Sequence, residues 1–216
     1  MILTSDEFTS TVHADMVDNY CWINGPISIE LVDMQNMARV PLTGMFQGMG
    51  SDVIILSVLQ RSGQSVLALV STRQGQSMVL FSLQTNNSLI KTIAEVTEIS
   101  TSASGLSMIN QTFSCMEASL DSSLVFIGGG TEAKATQTSD AVLYAVTFDR
   151  QMQKIDKLLL TDATESKRAI SCLRRDPTKN ILYAGVFQDV YLIEWTGSHF
   201  CVLRSLDNLH SCRHSG

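Results

Sequence analysis

With 216 residues, 44% hydrophobic and 17% charged, the chain has enough apolar material for one large domain or two small ones and falls outside the disordered class. A formal charge of −6 with only 15 scattered Lys and Arg argues against nucleic acid as a partner, because the basic footprint is missing. Five cysteines, Cys21, Cys115, Cys172, Cys201 and Cys212, include no C-x-x-C pair, a pattern of free thiols in a reducing compartment. Residues Met1 to Glu7 show neither a basic region nor a long apolar run, and no window approaches about 18 uninterrupted apolar residues. The expectation is a soluble cytoplasmic protein with no membrane contact.

Every predicted element is a strand, since short Val, Ile, Leu, Phe and Tyr runs recur between Gly, Asn, Asp and Ser, and no segment keeps a helical apolar stripe. The first fifty residues give strands at Phe8 to Ala14, Tyr20 to Ile23, Ile27 to Asp33 and Ala38 to Leu42, with a turn at Asn24-Gly25-Pro26. The next four strands are Val53 to Leu59, Val66 to Val70, Met78 to Leu83 and Leu89 to Val96, with glycine-bearing turns at Arg61-Ser62-Gly63-Gln64 and Arg73-Gln74-Gly75-Gln76. A third set comprises Phe113-Ser114-Cys115, Leu124 to Gly128, Val142 to Asp149 after a polar loop from Glu132 to Asp140, and Lys154 to Leu160. The last set is Ala169 to Pro177, Ile181 to Gly185, Asp189 to Trp195 and Phe200 to Leu206.

The third and fourth sets are related by a repeat. Cys115 and Cys172 stand 57 positions apart, and so do Gly128 and Gly185 in the following strands; a turn of arbitrary length would have broken that register. Four strands in about forty residues make one blade of a β-propeller. The fold class expected is therefore all-β, with about four blades of four antiparallel strands at 5–45, 50–98, 108–162 and 167–208. They form one domain over 1–216, either a complete ring or part of a larger one. No strand is left over for exchange between the two ends, so completion by a second propeller half or another subunit is expected.

Several candidate sites reduce to structure. Gly128-Gly129-Gly130 ends a strand with no helix behind it and is not a phosphate loop. The alternations His199-x-Cys201 and His210-x-Cys212-x-His214 do not match structural zinc spacing, and no metal is expected. Cys115 and Cys172 sit in apolar first strands and read as small buried hydrophobes. The binding candidates are Arg174, Arg175, Asp189 and Trp195, strand-end charges with Tyr183, Phe187 and Trp195 as aromatic neighbours, a composition suited to a rim that faces a protein partner.

WD-repeat propellers end the third strand of each blade in a tryptophan–aspartate pair. The corresponding positions here read Leu31-Val32-Asp33, Phe81-Ser82-Leu83, Phe148-Asp149 and Glu194-Trp195. On that pattern the chain resembles a divergent WD-repeat-like propeller, with the histidine of the family's glycine–histidine pair absent. The resemblance implies a platform that binds other proteins within a larger assembly, without catalysis and without a cofactor. The stretch Gly128 to Thr131 followed by Leu143 to Asp149 also looks like the lactonase-type propellers. That likeness implies the alternative function, hydrolysis of a small sugar lactone by inward-facing acid, His and Arg side chains, although no such set is evident in the sequence.

Overall fold

Runs of β-branched and aromatic residues that alternate toward a core form strands, and strands joined by short polar turns pair antiparallel with their sequence neighbours. The computed structural model describes residues 20–24, 29–33, 37–41, 54–60, 65–72, 75–86, 89–99, 111–131, 140–147, 152–160, 169–186 and 189–206. Among them every regular element is a strand, so the all-β antiparallel expectation holds. The strand expected at Phe8 to Ala14 and the tail His210 to Gly216 lie outside the described residues.

Four meander sheets follow one another along the chain, each with its strands in sequence order. Sheet A holds β1 (Tyr20–Asn24), β2 (Ile29–Asp33) and β3 (Ala38–Pro41), and sheet B holds β4 (Ile54–Gln60), β5 (Ser65–Thr72), β6 (Gly75–Asn86) and β7 (Leu89–Ile99). Sheet C holds β8 (Gln111–Ala118), β9 (Leu124–Thr131), β10 (Ala141–Thr147) and β11 (Lys154–Leu160). Sheet D holds β12 (Ile170–Arg175), β13 (Ile181–Val186), β14 (Asp189–Trp195) and β15 (Phe200–Leu206). The chain divides into two compact units, residues 1–100 and 101–216. In the first, Leu59, Leu67, Ala68, Leu69, Val70 and Met78 are buried.

The first strand of sheets B, C and D carries the same irregularity. Pairing steps past one residue between Ile55 and Ser57, between Phe113 and Cys115, and between Ile170 and Cys172. The extra residues are Leu56, Ser114 and Ser171, each a bulge that twists the strand locally. In sheets C and D the bulge again sits at the 57-residue offset, and Cys115 pairs with Gly128 as Cys172 pairs with Gly185. The repeat in the sequence is thus a repeat of backbone register.

Within the second unit, sheet D lays one face on sheet C. Ile170, Leu173, Leu182, Ala184, Val186, Ile193, Trp195 and Phe200 form one buried cluster with Cys115, Phe126, Ala141, Leu143, Ala145 and Leu160. The period of two along β13, with Leu182, Ala184 and Val186 inward and Tyr183 exposed, is that of a strand covered on one side. β9 and β10 are instead buried on both faces, which explains their unbroken apolar runs. The glycines of β9 permit this density. A Cβ on Gly129 would lie 2.2 Å from the Thr112 carbonyl oxygen and 2.7 Å from the Phe113 Cα, both backbone atoms that cannot move aside, whereas a Cβ on Gly185 would meet only the Cys172 Sγ at 2.5 Å and otherwise ordinary contacts.

Gly129→Ala is therefore expected to destabilise by about 3 kcal/mol, the upper part of the range for overpacking, while Gly185→Ala costs about 1 kcal/mol or less because the exposed cysteine can change rotamer. Urea titration of both variants checks this ordering; equal costs would show that the two glycines do not differ in backbone crowding.

Candidate functional site

A five-residue turn between two strands exposes its polar side chains unless they fold back on the turn's own backbone, which Ser, Thr and Asp do readily. The turn from β8 to β9 runs 119–123 and the one from β12 to β13 runs 176–180. Each is closed by the same backbone bond, Ser119 N–H to the Leu124 carbonyl at 3.0 Å and Asp176 N–H to the Ile181 carbonyl at 2.8 Å. The side chains exchange roles between the two copies. In the first, Asp121 Oδ1 accepts from the Ser119 hydroxyl at 2.7 Å, the Ser123 hydroxyl at 2.8 Å and the Ser123 N–H at 3.1 Å. In the second, the carboxylate stands at 176, where its Oδ1 accepts from Thr178 N–H and hydroxyl, both at 2.9 Å, and from Lys179 N–H at 3.0 Å.

These turns border a cleft of about 500 Å³ in the second unit. Ser119, Asp121, Ser123 and Asn180 supply its polar rim, and Leu120, Leu124, Ile155 and Trp195 its apolar wall. Leu120 is 47% and Ile155 44% exposed. The Ser119 hydroxyl first, then the Ser123 N–H and hydroxyl, hold the Asp121 carboxyl down at about 2, and hydrogen bonds from Thr178 hold Asp176 below the usual range as well. The rim is anionic at neutral pH. Among the described residues neither His nor Arg lines the cleft, and no group of their His, Cys, Asp and Glu could hold a metal ion.

The rim read from sequence is rearranged. Trp195 is only 5% exposed; its ring meets Phe126 edge-on at 5.6 Å and Phe200 at 5.0 Å, so the largest aromatic of the expected surface is a core residue touching the cleft from below. Arg175 donates from Nε to the Ala118 carbonyl and from Nη1 to the Asp176 carbonyl, each at 2.9 Å, and thereby joins sheet D to sheet C. Arg174 reaches the Glu117 carboxylate at 3.9 Å while half exposed, and Arg175 N–H donates to the same carboxylate at 3.4 Å. Asp189 pairs with Val186 at the far end of sheet D, whereas Arg175 pairs with Leu182 at the near end. The four residues do not assemble into one patch; Phe187 lies outside the described residues.

The cysteines also separate. Cys115 is buried, and Cys172 and Cys201 are exposed, because sheet D covers the face of sheet C that holds Cys115 while Cys172 lies on the uncovered face of sheet D. Burial, against the weaker pull of the Ser114 hydroxyl, pushes the Cys115 thiol up to about 12. His199 is engaged locally, its Nδ1 lying 3.0 Å from the Thr196 hydroxyl and 3.1 Å from the Ser198 hydroxyl.

No family model matches the chain, and no curated protein matches it. Among solved structures it is similar to the crystal structure of the major Malassezia sympodialis allergen Mala s 1, at 6% identity and TM-score 0.47, covering 92% of this chain and 78% of that one. The resemblance to WD-repeat propellers is thereby corrected: no such family matches, and β14, the strand that should close on a tryptophan–aspartate pair, ends at Trp195 with Thr196 following it. There the Thr196 hydroxyl donates to the His199 carbonyl at 3.0 Å within a local turn.

Because the Asp121 carboxyl is depressed from 3.8 to about 2 on folding, its stabilisation is complete above about pH 4 and is lost as the pH falls toward 2. Asp121→Asn should flatten the stability profile between those limits, as followed by thermal melts at stepped pH; an unchanged profile would show the turn bonds to be broken in solution. At pH 8, iodoacetamide should label Cys172 and Cys201 in the folded chain and spare Cys115 until denaturant is added. Peptide mass mapping reads the order, and early labelling at Cys115 would overturn the sheet C–sheet D packing.

Proposed function

We propose that the chain is a protein-binding scaffold of the β-propeller type, in which each meander sheet is one blade, acting in the cytoplasm without catalysis. The observation that carries this reading is the cleft at the turn end of sheets C and D. It sets exposed Leu120 and Ile155 beside an ionised, hydrogen-bonded carboxylate and fixed hydroxyls, on a base of two packed sheets. Binding groups on loops held by a rigid scaffold are the usual arrangement for recognition, and exposed apolar side chains ringed by polar ones are what a protein partner desolvates. The exposed free thiols of Cys172 and Cys201 accord with a reducing compartment. A partner segment suited to this cleft offers an apolar side chain for the wall and an N–H or basic group for Asp121 Oδ2.

The test is site-specific photo-crosslinking from position 120 in cells, identification of the joined protein, and titration of that purified protein against wild type and Leu120→Asp/Ile155→Asp. The double variant should bind at least ten-fold more weakly, the loss of one well-packed contact. Equal affinity would remove the cleft from the interface, and turnover of a small lactone by the purified chain would overturn the non-catalytic reading.

A further inference from the structure

Sheet D has a second face. Paired residues of an antiparallel sheet share a side, so the register places Cys172, Arg174, Ile181, Tyr183, Gly185, Val190, Leu192, Glu194, Cys201 and Arg204 on the face turned away from sheet C. The 57-residue repeat identifies what that face is. Cys172, Ile181, Tyr183 and Gly185 are the counterparts of Cys115, Leu124, Phe126 and Gly128, which lie on the face of sheet C that sheet D covers. One copy of the pattern is buried beneath a sheet. The other is open: Tyr183 is 38% exposed, Cys172 and Cys201 are exposed, and Leu192 and Val190 are only half-buried.

The charges on the face select the occupant. Glu194, near the end of the inner strand β14, and Arg204, on the edge strand β15, are both exposed, and neither makes an ion pair among the described residues. They are diagonal neighbours that both flank Leu192, Arg204 directly opposite it on β15 and Glu194 two residues further along β14, opposite Cys201. Arg174, beside Tyr183 on the same face, is drawn to Glu117 of sheet C, which leaves one unpaired charge of each sign next to the apolar centre. Such a face is complementary to itself under a two-fold rotation whose axis runs between the two charges, and this sets Arg204 of each copy toward Glu194 of the other. We propose that this outer face of sheet D is a homodimer interface, sheet packed on sheet, with Tyr183 and Leu192 at its centre and reciprocal Arg204–Glu194 pairs at its rim. It lies on other residues than the cleft, so its failure leaves the cleft reading intact and the reverse also holds.

Sedimentation velocity over a concentration series tests it. The wild type should sediment at twice the mass of one chain. Arg204→Glu and Glu194→Arg each place like charges together twice per dimer and should weaken association about ten-fold or more, with circular dichroism unchanged and the melting temperature lowered only by the lost association. The double variant Arg204→Glu/Glu194→Arg should restore the dimer, and iodoacetamide labelling of Cys172 and Cys201 should be slower in the dimeric forms than in the monomeric ones. A wild type that stays monomeric throughout, single variants that dimerise like the wild type, or a double variant that does not recover would each overturn the proposal.

Discussion

The second unit depends on how closely β12 approaches β8 and β9, and that distance is set by what is missing from Gly128. The Ile170 side chain occupies the space a Cβ there would need, its Cγ2 lying 2.9 Å from that position, with the Cys115 Sγ equally near. The Ser114 hydroxyl donates to the Ile170 carbonyl, and the Cys115 thiol lies within 3.8 Å of both the Gly128 and Ile170 carbonyls. A larger residue at 128 would push sheet D outward and loosen every contact above it, because packed interiors transmit displacement rather than absorb it. The aromatic cluster of Phe126, Trp195 and Phe200 is one of the contacts that close spacing makes possible.

Divergence between the two repeats supplies their cohesion. Glu117 and Arg174 are equivalent positions of opposite charge, and they meet; Ala118 and Arg175 are equivalent as well, and the arginine donates to the alanine carbonyl. Identical residues at these positions would have set like charges together at the seam. The planar guanidinium, with donors in a fixed fork, suits two carbonyls at once in a way an ammonium does not. The arginines that composition assigns to a recognition rim are thus largely consumed in joining neighbouring sheets.

Strands β9, β10 and β13 were legible in the sequence because they are covered on one face or both, and burial writes itself as alternation or as a continuous apolar run. The more exposed β15 was legible from its β-branched and aromatic residues between turn signals. Lys154–Leu160, Asp189–Trp195 and Phe200–Leu206 fall where the pattern puts them. The bulges at Ser114 and Ser171 were not legible, since an extra residue changes pairing without changing composition. The fate of Trp195 was not legible either: an aromatic at a strand end is buried or exposed according to what the neighbouring sheet lays over it. For Cys172 the repeat itself misled, because equivalent positions share a backbone register but not a covering partner. The cleft left one trace, the alignment of Ser119-x-Asp121 with Asp176-x-Thr178, in which hydroxyl and carboxylate trade places.

That exchange bears on recognition. A turn held by three hydrogen bonds to one carboxylate oxygen has already lost the conformational freedom that a partner would otherwise have to remove. Asp121 Oδ1 is committed to Ser119 and Ser123, while Oδ2 takes none of those bonds. The carboxylate is therefore positioned by one oxygen and presents the other, and its charge persists far into the acid range. Leu120 stands between Ser119 and Asp121, the residues that pin the turn, so its backbone position is set by the turn. Burial of that leucine by a partner gains apolar area at little ordering cost, which is the condition under which a small cleft contributes specific affinity.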